Sequence, residues 1–248
     1  MTRVASSQPD LRWPIAVAAA LTFGTGAIDV TTLTHLHGVF ASVITGNLMF
    51  TGLGIAHGDA ALVAHTAAAI GGFMIGVAAG TRLTGIRDPD GPRWPLSVTA
   101  ALGVEFMLLC GFTICWLTTG AAPTGRAELG LLATAAVSMG LQSAAMRGLG
   151  VTVATTYLTG TLAGVIAALA GSPRSRGDRA GVAALIAAVV GALCAGVLLS
   201  KVPAAAPLLS VTPLAVVLAA AGYHHRCNSR VSRTSRPSFA PAVEYAQR

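Results

Sequence analysis

The chain has 248 residues, of which 54% are hydrophobic and only 10% are charged. Soluble domains carry about 25% charged residues, so this composition excludes an ordinary water-soluble domain. The formal net charge is +7, but the basic residues lie in short connectors and tails rather than on one polar domain. This distribution argues against nucleic acid as a partner and favours a role in membrane topology.

Hydropathy predicts a run of apolar stretches, each of roughly the length needed to cross a hydrocarbon core about 30 Å thick. They cover 14–35, 39–57, 61–82, 96–118, 128–146, 150–170, 180–200 and 205–223. The predicted organisation is an N-terminal tail over 1–13, a transmembrane domain over 14–223 and a basic, disordered tail over 224–248.

The distribution of Lys and Arg favours six complete spans over eight. If 39–57 and 150–170 return to the side from which they start, 14 Lys and Arg residues lie on the inner side and only Arg126 and Lys201 lie outside. If all eight stretches cross, the division is 11 to 5. The positive-inside rule therefore favours six spans with cytoplasmic N- and C-termini. Eight spans stay open, because both disputed stretches are long enough to cross.

Those two disputed stretches are similar to each other. Val43 to Leu48 reads Val-Ile-Thr-Gly-Asn-Leu, and Tyr157 to Leu162 reads Tyr-Leu-Thr-Gly-Thr-Leu; the polar residues Asp29 and Ser143 precede them at equal distance. The pattern predicts two related halves, about 14–118 and 128–223, with three spans each. Inverted repeats with discontinuous helices are a transporter architecture. The predicted fold is therefore all-α: a polytopic transmembrane helical bundle with an inverted 3+3 repeat and two Thr-Gly half-spanning or broken helices.

An ordered set of motifs resembles the DUF1275 family of bacterial integral membrane proteins, also called the YoaK or UPF0700 family. The motifs are Gly26-Ala27-Ile28-Asp29, Gly38-Val39-Phe40-Ala41-Ser42 and Thr45-Gly46-Asn47, then Met139-Gly140-Leu141-Gln142, Arg147, Thr155-Thr156 and Thr159-Gly160-Thr161-Leu162. The resemblance covers about residues 14–223. It implies a multi-pass protein of a bacterial inner membrane, and the family brings no established biochemical activity with it.

Asp29 is the strongest candidate for a site residue, because it is a carboxylate inside an apolar stretch. An ionised Asp in a bilayer costs roughly 2.5–3.5 kcal/mol on insertion scales, so such residues usually face a bundle interior or a cavity. We expect Asp29 to bind a cation, a proton or a substrate amine. The alternative is a structural carboxylate bonded to a neighbouring helix or to Arg147.

The other candidates are polar residues within the apolar stretches. The two Thr-Gly motifs are predicted to interrupt their helices and to line a polar cavity, although close helix packing would explain them as well. Glu105 is a second proton-handling candidate, and Gln142 could complement Asp29 across the repeat axis. The predicted substrate or ion site comprises Asp29, Thr45, Gly46, Asn47, Glu105, Gln142, Thr159 and Gly160.

Two further patterns favour structural roles. His35, His37, His57 and His65 have a spacing that matches no metal-ligand motif, so we interpret them as interfacial residues and predict no metal and no cofactor. Gly72, Gly76 and Gly80 form a ridge of small residues that predicts a helix-packing face. This face could lie within the chain or join two copies in a homo-oligomer.

The leading functional hypothesis is a permease in the lipid bilayer for an unknown small solute, coupled to protons or another cation. The alternative is a non-transporting scaffold or accessory subunit. The sequence lacks a phosphate-binding Gly-Lys-Ser/Thr loop, a Gly-x-Ser-x-Gly elbow and a His-Glu-x-x-His motif. We therefore do not expect an enzyme, and Ser42 near His37 is the only local pair of nucleophile and base.

Overall fold

The computed structural model describes residues 12–85, 94–149, 158–171 and 176–234. Within these ranges the secondary structure is helical, and no strand occurs in them. The helices are α1 (Arg12–His35), α2 (Ile44–His57), α3 (Ala60–Thr84), α4 (Leu96–Thr118), α5 (Arg126–Gly148), α6 (Leu158–Ala170), α7 (Arg176–Lys201) and α8 (Leu208–Thr234), with a 3₁₀ turn at Pro203–Ala205. The prediction of an all-α bundle is confirmed.

Helix length divides the elements into two groups. Among the described residues, six helices are long and apolar enough to cross a membrane, namely α1, α3, α4, α5, α7 and α8. Helices α2 and α6 have only 14 and 13 residues. At 1.5 Å per residue each is about 20 Å long, which is shorter than a hydrocarbon core of about 30 Å. Helix lengths therefore agree with six spans, with the two short helices falling in the two disputed stretches.

Helices α2 and α3 form a tight antiparallel hairpin. Gly58 ends α2 with a positive φ of 69°, a conformation that glycine adopts without strain. The Asp59 side chain then accepts a hydrogen bond from the backbone N–H of Leu62 at 3.0 Å and caps the start of α3. Further along the pair, the Thr51 hydroxyl donates to the Thr66 hydroxyl at 2.9 Å. The turn and this hydrogen bond thus fix α2 beside α3.

Helices α3 and α5 form the most extensive helix pair, and glycines bring their backbones into contact. A Cβ added to Gly76 would lie 2.1 Å from the carbonyl oxygen of Val137. A Cβ added to Gly140 would lie 2.3 Å from the carbonyl oxygen of Phe73. Real Cβ atoms do not approach so closely, so any side chain at either glycine would push the two helices apart.

The predicted glycine face on α3 packs within the chain. Its members Gly72, Gly76 and Gly80 all meet α5, and Gly80 lies against Ala144 and Leu141. The face is therefore buried under α5, so a second copy has no access to it. This corrects the alternative in which these three glycines join two protomers. Glycine, having no side chain, allows this close helix approach.

Helices α1 and α7 cross in the same way. A Cβ added to Gly26 would lie 2.2 Å from the carbonyl oxygen of Ala188, and one added to Gly191 would lie 2.0 Å from that of Phe23. In each of these two helix pairs, the two shortest approaches thus involve one glycine from each helix. The backbones at these crossings leave no space for a methyl group.

The short helices lie at the edge of the bundle. Leu48 and Met49 of α2 are exposed, as are Leu162 and Ile166 of α6. Exposed apolar faces of this kind are expected where a helix meets lipid rather than water. Helix α8 extends to Thr234, beyond His224, where the basic tail is predicted to begin. The remainder of that predicted tail lies outside the described residues.

Candidate functional site

Asp29 holds the loop that connects α1 to α2. One carboxylate oxygen accepts a hydrogen bond from the backbone N–H of Ser42 at 2.8 Å, and the other accepts from the Ser42 hydroxyl at 2.5 Å. Asp29 is only 9% exposed and Ser42 only 4%. Both oxygens of this carboxylate are therefore engaged inside the protein, and its partner is the loop rather than Arg147.

Asn47 holds the same loop from the other side. Its side-chain oxygen accepts from the backbone N–H of Phe40 at 3.1 Å, and its amide nitrogen donates to the Phe40 carbonyl at 2.7 Å. Asn47 is fully buried, and a buried backbone segment outside helices needs partners of this kind. The hydrogen bonds Asp29–Ser42 and Asn47–Phe40 are together called the loop latch below.

The interruption falls before the first Thr-Gly motif, over residues 36–43, and not within it. Thr45, Gly46 and Asn47 lie in the first turn of α2. Thr45 is exposed, while a Cβ on Gly46 would contact Val43 and Phe40 at 3.4–3.6 Å. Of the three residues, Asn47 alone therefore makes side-chain hydrogen bonds to the loop. The prediction placed the interruption at this motif, whereas the structure has it in the loop directly before the motif.

Gln142 meets α1 one turn away from Asp29. Its amide nitrogen donates to the Thr25 hydroxyl at 2.7 Å, and both residues are buried. On the neighbouring helix α8, the Ser210 hydroxyl donates to the Gly24 carbonyl at 3.0 Å. These contacts place buried polar groups of α1, α5 and α8 next to one another.

Glu105 is the most isolated polar group in the described part of the chain. It lies near the middle of α4 and is fully buried. Neither carboxylate oxygen has a hydrogen-bond partner among the described residues. Buried polar groups are almost always hydrogen-bonded, so an exception indicates a role or an absent partner such as water or an ion.

One apolar cluster borders both Glu105 and the buried hydrogen bonds of Gln142 and Ser210. Leu102 and Leu109, about one turn away from Glu105 on α4, pack in a cluster with residues of α1, α5 and α8. The members of that cluster from the other helices include Leu21, Ala145, Met146 and Leu214, each about one helical turn from Thr25, Gln142 or Ser210. Glu105 and these polar residues therefore border the same apolar cluster from different helices.

The second Thr-Gly motif opens α6 and faces α7. Thr159 is exposed and Gly160 half-buried, and the Thr161 methyl group lies 3.0 Å from a Cβ built on Gly181 of α7. The preceding stretch 150–157 lies outside the described residues. Of the predicted site residues, Asp29 and Asn47 thus bind the same loop, and Glu105 and Gln142 border the same apolar cluster. The contacts described above include none between these two groups and Thr45, Thr159 or Gly160.

The hydrogen bonds of Ser42 with Asp29 and of Thr25 with Gln142 were not predicted from the sequence. Ser42 entered only as a nucleophile beside His37, whereas its hydroxyl donates to Asp29 and the His37 ring stacks on His65. Ser42 is the last residue of the motif Gly38-Val39-Phe40-Ala41-Ser42, and Thr25 directly precedes the motif Gly26-Ala27-Ile28-Asp29. No local signal pairs Ser42 with Asp29, since 13 residues separate them.

The sequence of the chain is similar to that of known proteins. The chain is 31% identical, over 147 residues, to the UPF0700 transmembrane protein YoaK of Bacillus subtilis (strain 168), and the match covers 59% of this chain and 63% of that relative. No solved structure matches the chain. A family model described as a protein of unknown function, DUF1275, matches residues 17–220. The chain, a multi-pass integral membrane protein, therefore belongs to the DUF1275 family.

Proposed function

We propose that the protein is a permease for a small solute, not an enzyme, and that Glu105 is its coupling carboxylate. The observation that supports this most is the complete burial of Glu105 with neither oxygen hydrogen-bonded among the described residues. Placing a carboxylate inside a membrane-spanning bundle costs about 2.5–3.5 kcal/mol of free energy on insertion scales. Packing alone gives no reason to keep it, because an apolar side chain of similar volume would be more stable there.

The two short helices support transport by giving the bundle re-entrant segments. The loop over 36–43 descends from the end of α1, and α2 returns beside α3. Irregular backbone at membrane depth is tolerated where it is buried in protein or lines an aqueous cavity. We propose that the loop latch holds this segment in a closed state. Its release frees Asp29 to bind the solute or a cation in place of Ser42.

An inverted repeat is proposed on the pattern of the glycine crossings. Adding 114 to Phe23 and Gly26 of α1 gives Val137 and Gly140 of α5. Adding 115 to Phe73 and Gly76 of α3 gives Ala188 and Gly191 of α7. The four closest approaches of Cβ positions to carbonyl oxygens thus map onto each other in pairs. Such halves, each with one short helix, match the architecture of inverted-repeat transporters.

The proposed orientation has the N- and C-termini in the cytoplasm of a bacterial inner membrane. Arg82, Arg147 and Arg179 lie near helix ends on one side of the bundle, while Arg126 and Lys201 lie at the other ends of α5 and α7. We expect a cytoplasmic reporter fused after the last residue to be active and an exported-only reporter to be inactive. A reporter fused between α2 and α3 should give the reverse result. Identical results at both positions would contradict six spans.

Replacement of Glu105 by glutamine is expected to abolish transport without unfolding the protein. Glutamine keeps the shape of the side chain and removes its charge, so uptake into proteoliposomes should fall at least tenfold if the carboxylate carries the coupled proton or cation. The measurement is uptake across a panel of labelled metabolites and ions, with empty liposomes as background.

Asp59→Asn is the matched control, since it removes a carboxylate at a helix N-cap where asparagine is equally favourable. Full uptake by the Asp59→Asn variant and loss of uptake by the Glu105→Gln variant are expected together. Uptake that survives Glu105→Gln would remove Glu105 from the proposed mechanism. Wild-type protein that moves no member of the panel above background would count against the permease itself.

A non-transporting scaffold is the second candidate, and the loop latch favours it. Asp29 and Asn47 are both fully engaged with the loop, which is also what a purely structural role requires. The two functions differ at Glu105. Glu105→Met should raise the melting temperature under either function, because it removes a buried carboxylate that has no partner among the described residues. In a scaffold it should leave partner binding unchanged, whereas in a permease it should abolish uptake.

A further inference from the structure

Three side chains from separate elements meet at one end of the bundle. His37 lies in the loop after α1, His65 in the second turn of α3 and Glu128 in the first turn of α5. One potential ligand atom from each residue lies within 4.8 Å of the other two. His37 Nδ1 is 3.8 Å from one Glu128 oxygen, and His65 Nε2 is 3.7 Å from the other.

The hydrogen bond made by His65 determines which of its two ring nitrogens carries the lone pair. His65 Nδ1 lies 2.7 Å from the carbonyl oxygen of Ala61, and because a carbonyl only accepts, Nδ1 carries the hydrogen. In the neutral ring the lone pair is therefore on Nε2. A second contact that fixes ring orientation and tautomer in this way is typical of metal-ligating histidines.

His65 Nε2 is buried and has no hydrogen-bond partner among the described residues. The whole residue is only 8% exposed. An oxygen of Glu128 lies 3.7 Å from Nε2, and a carboxylate oxygen also presents lone pairs. Two acceptors that face each other in a buried site leave a position for a cation between them.

The donor set indicates the class of cation. We propose that His37, His65 and Glu128 bind one divalent transition-metal ion, with Zn²⁺ as the reference ion. Two imidazoles and one carboxylate are a common ligand set for Zn²⁺ and related ions, and they leave a fourth position open. With ligand bonds of about 2.0–2.2 Å, tetrahedral ligand atoms lie about 3.4 Å apart. The measured distances of 3.8 and 3.7 Å run to the two different oxygens of Glu128. The ligand atoms, which now lie within 4.8 Å of one another, therefore have to move closer together when the ion binds.

Metal binding requires the His37 ring to turn. The rings of His37 and His65 are stacked, with centroids 4.2 Å apart and planes 10° from parallel. The lone pair of an imidazole nitrogen lies in the ring plane, so two parallel rings cannot direct lone pairs at one point. His37 has the space to rotate, since its side chain is 36% exposed. The ion would then tie the loop at His37 to α3 and α5, on the outer side in the proposed orientation.

The site is tested with the purified full-length protein, freed of metal by a chelator and titrated with Co²⁺ as a spectroscopic substitute for Zn²⁺. We expect one Co²⁺ bound per chain, with visible absorption bands typical of nitrogen and oxygen ligands, and displacement by Zn²⁺. His65→Ala, Glu128→Gln and His37→Asn should each raise the apparent Kd for Co²⁺ at least tenfold. Zn²⁺ should raise the melting temperature of the wild type and not that of these variants.

Controls separate this cluster from other ligands. His57→Ala removes an exposed histidine at the end of α2 and should leave the Kd unchanged. If His65→Ala does not fold, His37→Asn decides the question, because His37 is exposed in a loop at a positive φ of 59° that asparagine tolerates. Absence of saturable binding, binding that survives both His37→Asn and Glu128→Gln, or a thiolate-to-cobalt absorption band would each overturn the proposal. None of these measurements depends on transport.

Discussion

Gly76→Ala is expected to cause the largest loss of stability of any single-methyl change in the described part of α3. The added Cβ would lie 2.1 Å from the Val137 carbonyl oxygen and 3.0 Å from the Gly140 Cα. Both are backbone atoms, so no side chain can rotate away and the helix pair has to separate. Overpacking of this kind typically costs about 1–3 kcal/mol and occasionally more, and we expect the upper end. Thermal unfolding in detergent measures the effect.

The matched control lies on the same helix. Gly71 has no atom within 4 Å of an added Cβ, so Gly71→Ala should be neutral or stabilising by up to about 1 kcal/mol, because alanine is the better helix former. Gly191→Ala at the α1–α7 crossing should behave like Gly76→Ala, since its Cβ would lie 2.0 Å from a carbonyl oxygen. Equal melting temperatures for Gly71→Ala and Gly76→Ala would contradict the helix separation described above.

Asp29→Ala is expected to open the loop latch. The change leaves the N–H and the hydroxyl of Ser42 buried without their acceptor, and each unsatisfied group costs about 1–3 kcal/mol. For a chain of this length the melting temperature should fall on the order of 5–10 °C. The loop should also become accessible, which faster hydrogen exchange of the backbone amides of residues 36–43 than in the wild type would show.

Asp29→Asn separates the charge of Asp29 from its hydrogen bonds. The asparagine oxygen can accept from the Ser42 N–H, and its amide can donate to the Ser42 hydroxyl, which also accepts. The melting temperature should therefore stay close to that of the wild type. In a permease that uses the charge, uptake is lost in this stable variant. If Asp29→Asn keeps full uptake, the carboxylate serves only the latch.

The limits of most long helices could be predicted from the sequence, because polar or turn-forming residues flank them. Helix α8 is the exception, since it extends to Thr234, past the predicted end of its stretch at residue 223. The stretch 96–118 coincides with α4, and 61–82 lies within α3, Ala60–Thr84. Hydropathy is a local property, and a bilayer imposes one length on every span. The limits of the short helices were more difficult to predict. The apolar stretch 39–57 has 19 residues, and its hydropathy does not distinguish the loop before α2 from the helix itself.

The candidate site could be predicted only in part, because its contacts join residues that are distant in sequence. Asp29 and Asn47 stand out as polar groups in apolar stretches, but nothing near them specifies that each bonds the backbone of one loop. The proposed metal cluster likewise joins residues that are distant in sequence. His37, His65 and Glu128 come from three elements, and their spacing in the chain carries no ligand pattern.

The glycine face shows what a local pattern does and does not specify. Three glycines at intervals of four predict a surface for close packing, and the structure confirms that Gly72, Gly76 and Gly80 are used in that way. The identity of the partner helix depends on the path of the whole chain. That path is not encoded in the stretch that carries the glycines.

The two closest helix pairs have a consequence for biosynthesis. The tightest neighbour of α1 is α7, and the tightest neighbour of α3 is α5. Helix α1 thus leaves the ribosome more than a hundred residues ahead of α7. Until α7 is made, the glycine surface of α1 must be covered by the insertion machinery or by lipid. A polypeptide cut between α4 and α5 would leave both fragments lacking a tight neighbour, and we expect neither to be stable unless the two are produced together.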